Sequence, residues 1–285
     1  MKVLIPVDGS DASTAALDFV ASRLKVAEAL PDPDVRLLNV QWPIPPRAAR
    51  AAGKELVRSY HQAEAEGVLK PALRRLAAQG VEAKARYVVG HPAQVVSGAA
   101  VQGHPDLVVM GSRGQSALGG LVFGSVTQAV LAAGSTPLLV LRGGAAPARD
   151  SLRVAIAVDG SKYGLAAARY VLEHRALFGP KATYRLVHVV SGRTGDPSFE
   201  ETTAPALALF EKAGIVAQAV RLTGEPAGDV IARYVQRNKT DLLVMGSHGR
   251  TPLKSLLLGS VATRVASQCP LPLLLVRPRA RASAG

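Results

Sequence analysis

The chain holds one cysteine, one tryptophan and only 4% aromatic residues. A single cysteine excludes an internal disulfide and any zinc site that needs several thiolates. It also sets the expectation of a reducing, cytoplasmic setting. So few aromatics argue against a nucleic-acid module built on stacking platforms. No stretch approaches the roughly 18 uncharged apolar residues of a membrane span, so no membrane partner is expected. The opening MKVLIPVDGSD has a short apolar run that Asp8 interrupts before a signal-peptide core could form. Two nucleotide signatures are missing as well. There is no G-x4-G-K-[ST] phosphate loop, and no G-x-G-x-x-G fingerprint follows the first apolar run of either half. No serine stands in a nucleophile elbow, and the six histidines lack metal-ligand spacing.

What is present is a globular composition, 48% hydrophobic and 19% charged, over 285 residues. That length suits two domains. The net charge of +13 is weighted toward the half beyond Asp150. Such an excess fits either a polyanionic partner or a solvated arginine-rich surface. The densest basic run, Arg277-Pro-Arg279-Ala-Arg281, leads into a tail at 278–285 that is expected to hang free.

Internal self-similarity organises the rest. Lys2-Val-Leu-Ile-Pro-Val-Asp8-Gly-Ser returns as Arg153-Val-Ala-Ile-Ala-Val-Asp159-Gly-Ser. Val35-Arg-Leu-Leu-Asn-Val40 returns as Tyr184-Arg-Leu-Val-His-Val189, and Asp106-Leu-Val-Val-Met-Gly-Ser112 as Asp241-Leu-Leu-Val-Met-Gly-Ser247. The offset shrinks between the first pair and the last, so the first copy carries extra length after Val40. The period is far too long for a solenoid unit, and the chain reads as a duplicated domain: residues 1–143 and 151–277, with a Gly- and Pro-bearing linker at 144–150.

Within a copy, near-continuous apolar runs alternate with alanine-rich helical segments. The runs of the first copy are Val3–Val7, Val35–Val40, Ala85–Val89, Leu107–Met110 and Leu138–Leu141. Continuous rather than alternating hydrophobicity means burial on both faces, as in a parallel sheet covered by helices. The helical segments are Ala12–Leu30, Ala51–Ala78, Ala93–Gly103 and Leu118–Ala133. The expected fold is two tandem α/β/α domains, each with a five-stranded sheet. The prolines of Gln41-Trp-Pro-Ile-Pro-Pro46 predict an extended connector or lid at the ligand-binding edge of the sheet, and Ser191–Pro197 corresponds to it.

The strongest chemical signal follows the fourth strand. Both copies read G-x2-G-x9-G-S after a strand ending in methionine: Met110, Gly111, Gly114, Gly124 and Ser125, then Met245, Gly246, Gly249, Gly259 and Ser260. Glycines at a strand–loop junction let backbone N–H groups approach an anion. The Gly-Ser pair opens a helical run beginning at Val126 or Val261, whose N-terminus favours negative charge. Together they predict a backbone phosphate cradle. Asp8 and Asp159, at first-strand ends, either reach a ribose hydroxyl or metal-bound water or cap the following helix. His248 is the one histidine placed to approach phosphate. Cys269, before Pro270 and an apolar run, reads as an inert small hydrophobe.

On these motifs the chain resembles a tandem universal stress protein of the ATP-binding branch, over residues 1 to 277. The resemblance implies a Rossmann-like, adenine nucleotide alpha hydrolase-like fold with strand order 3-2-1-4-5 in each domain. It implies ATP in each, accompanied by Mg²⁺ or Mn²⁺ held through phosphate oxygens. Phosphate contacts would fall near Gly111, Arg113, Gly114, Gly124, Ser125 and Val126, and near Gly246, His248, Gly249, Arg250, Gly259, Ser260 and Val261. Pro6-Val7-Asp8 and Ala157-Val158-Asp159 would lie beside ribose and adenine, and Val40 and Val189 at the adenine edge. Ala157 departs from the proline of the first copy, with little consequence for backbone contacts. Arg250 and Lys254 add cations that the first cradle lacks, so the second site is expected to bind ATP more tightly. The resemblance also implies an intramolecular pseudo-dimer through the last strands, and leaves a homodimer open.

Three functions compete at this point. A regulatory ATP-binding protein leads, with a protein partner that the sequence does not name. A slow ATPase or phosphotransferase would use the same cradle, but no general base beyond Asp8 or Asp159 is in evidence. A basic adaptor would bind nucleic acid with ATP incidental.

Overall fold

The computed structural model describes residues 1–27, 33–112, 123–134, 136–141, 149–190, 198–249 and 258–278. Contacts divide the chain into two compact units, one on Met1–Gly134 and one on Pro147–Gly285 together with Ser135–Arg142.

In the first unit, β1 (Lys2–Pro6), β2 (Asp34–Gln41), β3 (Ala83–Val89) and β4 (Leu107–Gly111) form a parallel sheet of order β3-β2-β1-β4. The register sets Val3 opposite both Val35 and Leu107, so β1 is flanked on each side. Its apolar run is what that position demands. Val3, Leu4 and Ile5 are buried, as are Leu107 to Met110 in β4. Helix α1 (Asp11–Val26) packs with α3 (Lys54–Ala77), while α4 (Pro92–Gln102) packs with α5 (Ser125–Ala133). Right-handed crossovers put these pairs on opposite faces of the sheet.

The extra length of this copy is helical. Pro46 does not extend the connector but opens a short helix, α2 (Pro46–Ala52), at the first-turn position where a missing N–H costs nothing. The longer α3 follows directly. The helix expected over Leu118–Ala133 begins, among the described residues, at Ser125.

The second unit repeats the plan with β6 (Arg153–Ala157), β7 (Thr183–Val190), β8 (Ala217–Thr223), β9 (Leu242–Gly246) and β10 (Leu273–Val276). Their order is β10-β9-β6-β7-β8, all parallel, which is 4 and 5 on one side of 1 and 2 and 3 on the other, as expected. Helices α6 (Lys162–Glu173) and α7 (Phe199–Lys212) pack together, as do α8 (Ala227–Arg237) and α9 (Ser260–Gln268). Contacts assign β5 (Leu138–Leu141) to this unit, where it lies antiparallel to β10 with Leu139 opposite Leu274. All four β5 residues are buried. β10 therefore has neighbours on both sides, and its run of leucines is covered.

Candidate functional site

In each unit the chain leaves the central strand and its neighbour at one edge of the sheet, β1 beside β4 and β6 beside β9. This is the switch-point crevice where open α/β sheets take ligands. Three features repeat there.

The first is a capped turn. Ser10 caps α1 by accepting from the Ser13 N–H at 3.1 Å, and the Asp8 Oδ1 holds Ser10 by accepting from its N–H at 3.1 Å and its Oγ at 2.6 Å. Ser161 likewise caps α6 through the Gly164 N–H at 3.2 Å, with its own N–H donating to Asp159 Oδ1 at 3.0 Å. Serine is the cap in both, and the aspartate braces the cap.

The second is a latch from the neighbouring strand. The buried Asn39 Nδ2 donates to the Val7 carbonyl at 2.8 Å, extended by Gln41 Nε2 donating to Asn39 Oδ1 at 2.5 Å. The matching residue of the second copy is His188, buried, whose Nδ1 donates to the Val158 carbonyl at 2.9 Å. Both tie the turn before the aspartate to the strand whose last residue but one is half-buried Val40 or Val189. Sequence reasoning missed this pair. The signal was there: besides Arg36 and Arg185, each run carries one further polar residue at a matched position next to its last valine.

The third is the helix start below the glycines. The Gly124 N–H donates to the Ser112 carbonyl at 2.9 Å, and the Gly259 N–H to the Ser247 carbonyl at 2.8 Å. These bonds hang α5 and α9 from the ends of β4 and β9. Neither helix has a side-chain cap or an acidic residue in its first turn. The first N–H groups of a helix have no intrahelical acceptor, so each start presents unanswered donors and the positive end of the dipole. Ser125 and Ser260 sit at these starts with exposed side chains.

The glycines divide by role. A Cβ on Gly111 would overlap Ala12, and one on Gly246 would come within 2.8 Å of the Tyr163 carbonyl carbon. Absence of a side chain at these two lets a strand end press against the first turn of α1 or α6. At Gly249 the neighbour is different. A Cβ there would lie 2.8 Å from Asp159 Oδ2, so this loop residue faces the carboxylate across the crevice. The crevice thus brings together Val7, Asp8, Val40, Met110, Gly111, Gly124 and Ser125 in the first unit. In the second it gathers Val158, Asp159, Val189, Met245, Gly246, His248, Gly249, Gly259 and Ser260. Arg113, Gly114 and Arg250 lie outside the described residues.

The second crevice also holds side chains that the first lacks. The Tyr163 ring lies 5.3 Å from that of His248, where the first copy has Ala12 at the tyrosine position. Ser247 is fully buried between His248 and Arg277. Burial lowers the Arg277 guanidinium from its ordinary value, with Tyr163 opposing the shift. Cys269 is buried away from this edge.

A model of the universal stress protein family matches residues 1–142 and again residues 152–277. The chain belongs to the universal stress protein family. It is 32% identical over 180 residues to a universal stress protein of Mycolicibacterium smegmatis, a match that covers 57% of this chain and 58% of that protein. The chain thus spans little more than half the length of that relative. A universal stress protein of Thermus aquaticus is 34% identical over 137 residues, 44% of this chain and 97% of that protein. Among solved structures, a universal stress protein from Archaeoglobus fulgidus superposes with a TM-score of 0.73, over 97% of this chain and 96% of the other. At 22% identity that likeness is one of fold. In this universal stress protein no described helix is long and apolar enough to cross a membrane.

Proposed function

We propose that each repeat is an adenine-nucleotide site and that the chain is a regulatory ATP-binding protein of its family. The observation that carries this reading is the pair of helix starts at α5 and α9. Both are uncapped, free of acidic residues and suspended by the same glycine-to-serine hydrogen bond beside the switch point. A polyphosphate would be met by backbone N–H groups at Ser125 and Val126, or at Ser260 and Val261, with a serine hydroxyl as a further donor. Asp8 and Asp159 stand on the ribose side, and the strand ends at Val40 and Val189 on the base side. A Mg²⁺ or Mn²⁺ ion would ride on phosphate oxygens. Regulation is favoured over hydrolysis because Oδ1 of each aspartate is already engaged in holding the serine cap.

The test is calorimetric titration of ATP with Mg²⁺ into the full chain, alongside mass spectrometry of nucleotide released from the purified protein. A carboxylate at the helix start should repel phosphate. Ser260→Asp is expected to weaken the second site about tenfold or more and leave the first unchanged, as Ser125→Asp does in reverse. ATP binding indifferent to both substitutions would sink the reading. ADP released in proportion to wild-type protein, and lost in these variants, would replace regulation with hydrolysis.

A further inference from the structure

The fully buried hydroxyl of Ser247 sits at the centre of a short chain of hydrogen bonds. Its Oγ lies 3.0 Å from Arg277 Nε and 3.0 Å from His248 Nδ1. Valence decides where each proton stands. A guanidinium Nε–H can only donate, so Ser247 accepts at that end. The hydroxyl proton must then go elsewhere, and His248 Nδ1 is the acceptor in contact with it. Nδ1 is therefore the bare nitrogen of the imidazole, and the ring proton sits on Nε2. The opposite arrangement would aim two N–H groups at one oxygen and strand the serine proton in a dry position, which buried hydroxyls rarely tolerate.

We infer that Arg277 and Ser247 are positioning residues that fix His248 as the Nε2–H tautomer, so that its imidazole meets a phosphate oxygen in the second site as a hydrogen-bond donor. The donor role rests on the nucleotide reading above. The placement of the proton does not. The half-buried ring of His248 belongs to the loop that carries Gly249, and the Gly259 helix start packs against its backbone, within 3.2 Å of its Cα for a Cβ at Gly259. The charged and titratable groups around it among the described residues are few. They are Tyr163 on α6, with Lys162 Nζ 5.6 Å from the tyrosine ring centre, Asp159 at the end of β6 and Arg277 after β10. Of these, Arg277 bears on the Nδ1 side of the ring through Ser247. The first copy has Arg113 at the position of His248, and a guanidinium has no tautomer to set. The device therefore belongs to the second site alone.

Nitrogen-15 NMR of histidine-labelled full-length protein, without nucleotide and at mildly alkaline pH, reads the tautomer directly. His248 is assigned by the signals that vanish in His248→Gln. The expected signature is a pyridine-like Nδ1 and a pyrrole-like Nε2, which Ser247→Ala turns into a mixture and Arg277→Lys, still a donor, retains. A pyrrole-like Nδ1 in the wild type overturns the inference, and so does a signature that Ser247→Ala leaves unchanged. Affinity provides the second arm, in a chain whose first site is closed by Ser125→Asp. Ser247→Ala is expected to weaken ATP binding about fivefold when residue 248 is histidine and less than about twofold when it is glutamine, whose amide donates without a tautomer. Equal losses in both backgrounds would mean a structural role only and overturn the inference. If the wild type binds no ATP, the nucleotide reading and the donor role fall together, while the NMR signature still decides the proton placement.

Discussion

Gly246 and Gly249 stand three residues apart in one motif, yet they answer to different physical demands. Gly246 touches the backbone of Tyr163, where nothing can yield, whereas Gly249 faces a single carboxylate oxygen of Asp159. Gly246→Ala is accordingly expected to cost about 1–3 kcal/mol of stability through overpacking, read as a lower urea midpoint. Gly249→Ala should leave that midpoint nearly unchanged and act instead on ATP affinity, by pushing the carboxylate aside. Loss of stability in both, with no separate effect on binding, would refute this division. The motif alone treats the two glycines alike. Their neighbours, a tyrosine on α6 and an aspartate on the turn after β6, are distant in sequence, and only folding sets them against the loop.

At the scale of elements, four helix starts converge on the two crevices and only two of them are satisfied. α1 and α6 carry serine caps braced by aspartate, while α5 and α9 begin uncapped at glycine. Ser161→Ala should therefore cost about 1 kcal/mol, the usual loss of a helix cap. Ser260→Ala, one residue inside its helix and capping nothing, should cost no more than a few tenths. Chemical denaturation of the two variants side by side checks the contrast, and equal losses would contradict it. The Asp-Gly-Ser and Gly-Ser patterns were both readable as helix entries from sequence. Which residue caps was not, because the choice between Asp8 and Ser10 depends on backbone angles at the turn rather than on residue type.

For the molecule as a whole, the duplication repeats structural ties as well as candidate ligand contacts. The backbone N–H of Lys2 donates to Asp106 Oδ2 at 2.9 Å, and that of Arg153 to Asp241 Oδ2 at 2.8 Å, joining the start of the central strand to the start of its neighbour. At Asp241, burial pushes the carboxyl up, but the side chain and backbone of Arg153, helped by Arg149, pull it further down. A carboxylate whose pKa is depressed by folding contributes stability above its unfolded value of 3.8, and that stability is lost as pH falls through the lower folded value. Asp241→Asn should thus destabilise the protein at neutral pH and bring the variant closer to the wild type below pH of about 4. Urea midpoints at the two pH values test this, and a gap that stays constant would exclude the ion pair as its source. The last strand of the first repeat shows where duplication and contact part company. The family match counts β5 with the first copy, while its contacts and its antiparallel pairing with β10 assign it to the second unit.

The amino-acid sequence by itself determined that this protein is two copies of one parallel α/β plan, because double-sided burial demands continuous apolar strands and a repeat leaves the same pattern twice. It also determined that a glycine-rich turn and a helix start follow each fourth strand. Tertiary structure alone decided which glycines serve packing, that Asn39 and His188 latch the turn before each aspartate, that β5 pairs with β10, and where the proton of His248 sits. Each of these depends on groups brought together from distant parts of the chain. Periodicity and spacing record what a residue's own segment requires, and they are silent about which segment will lie against it.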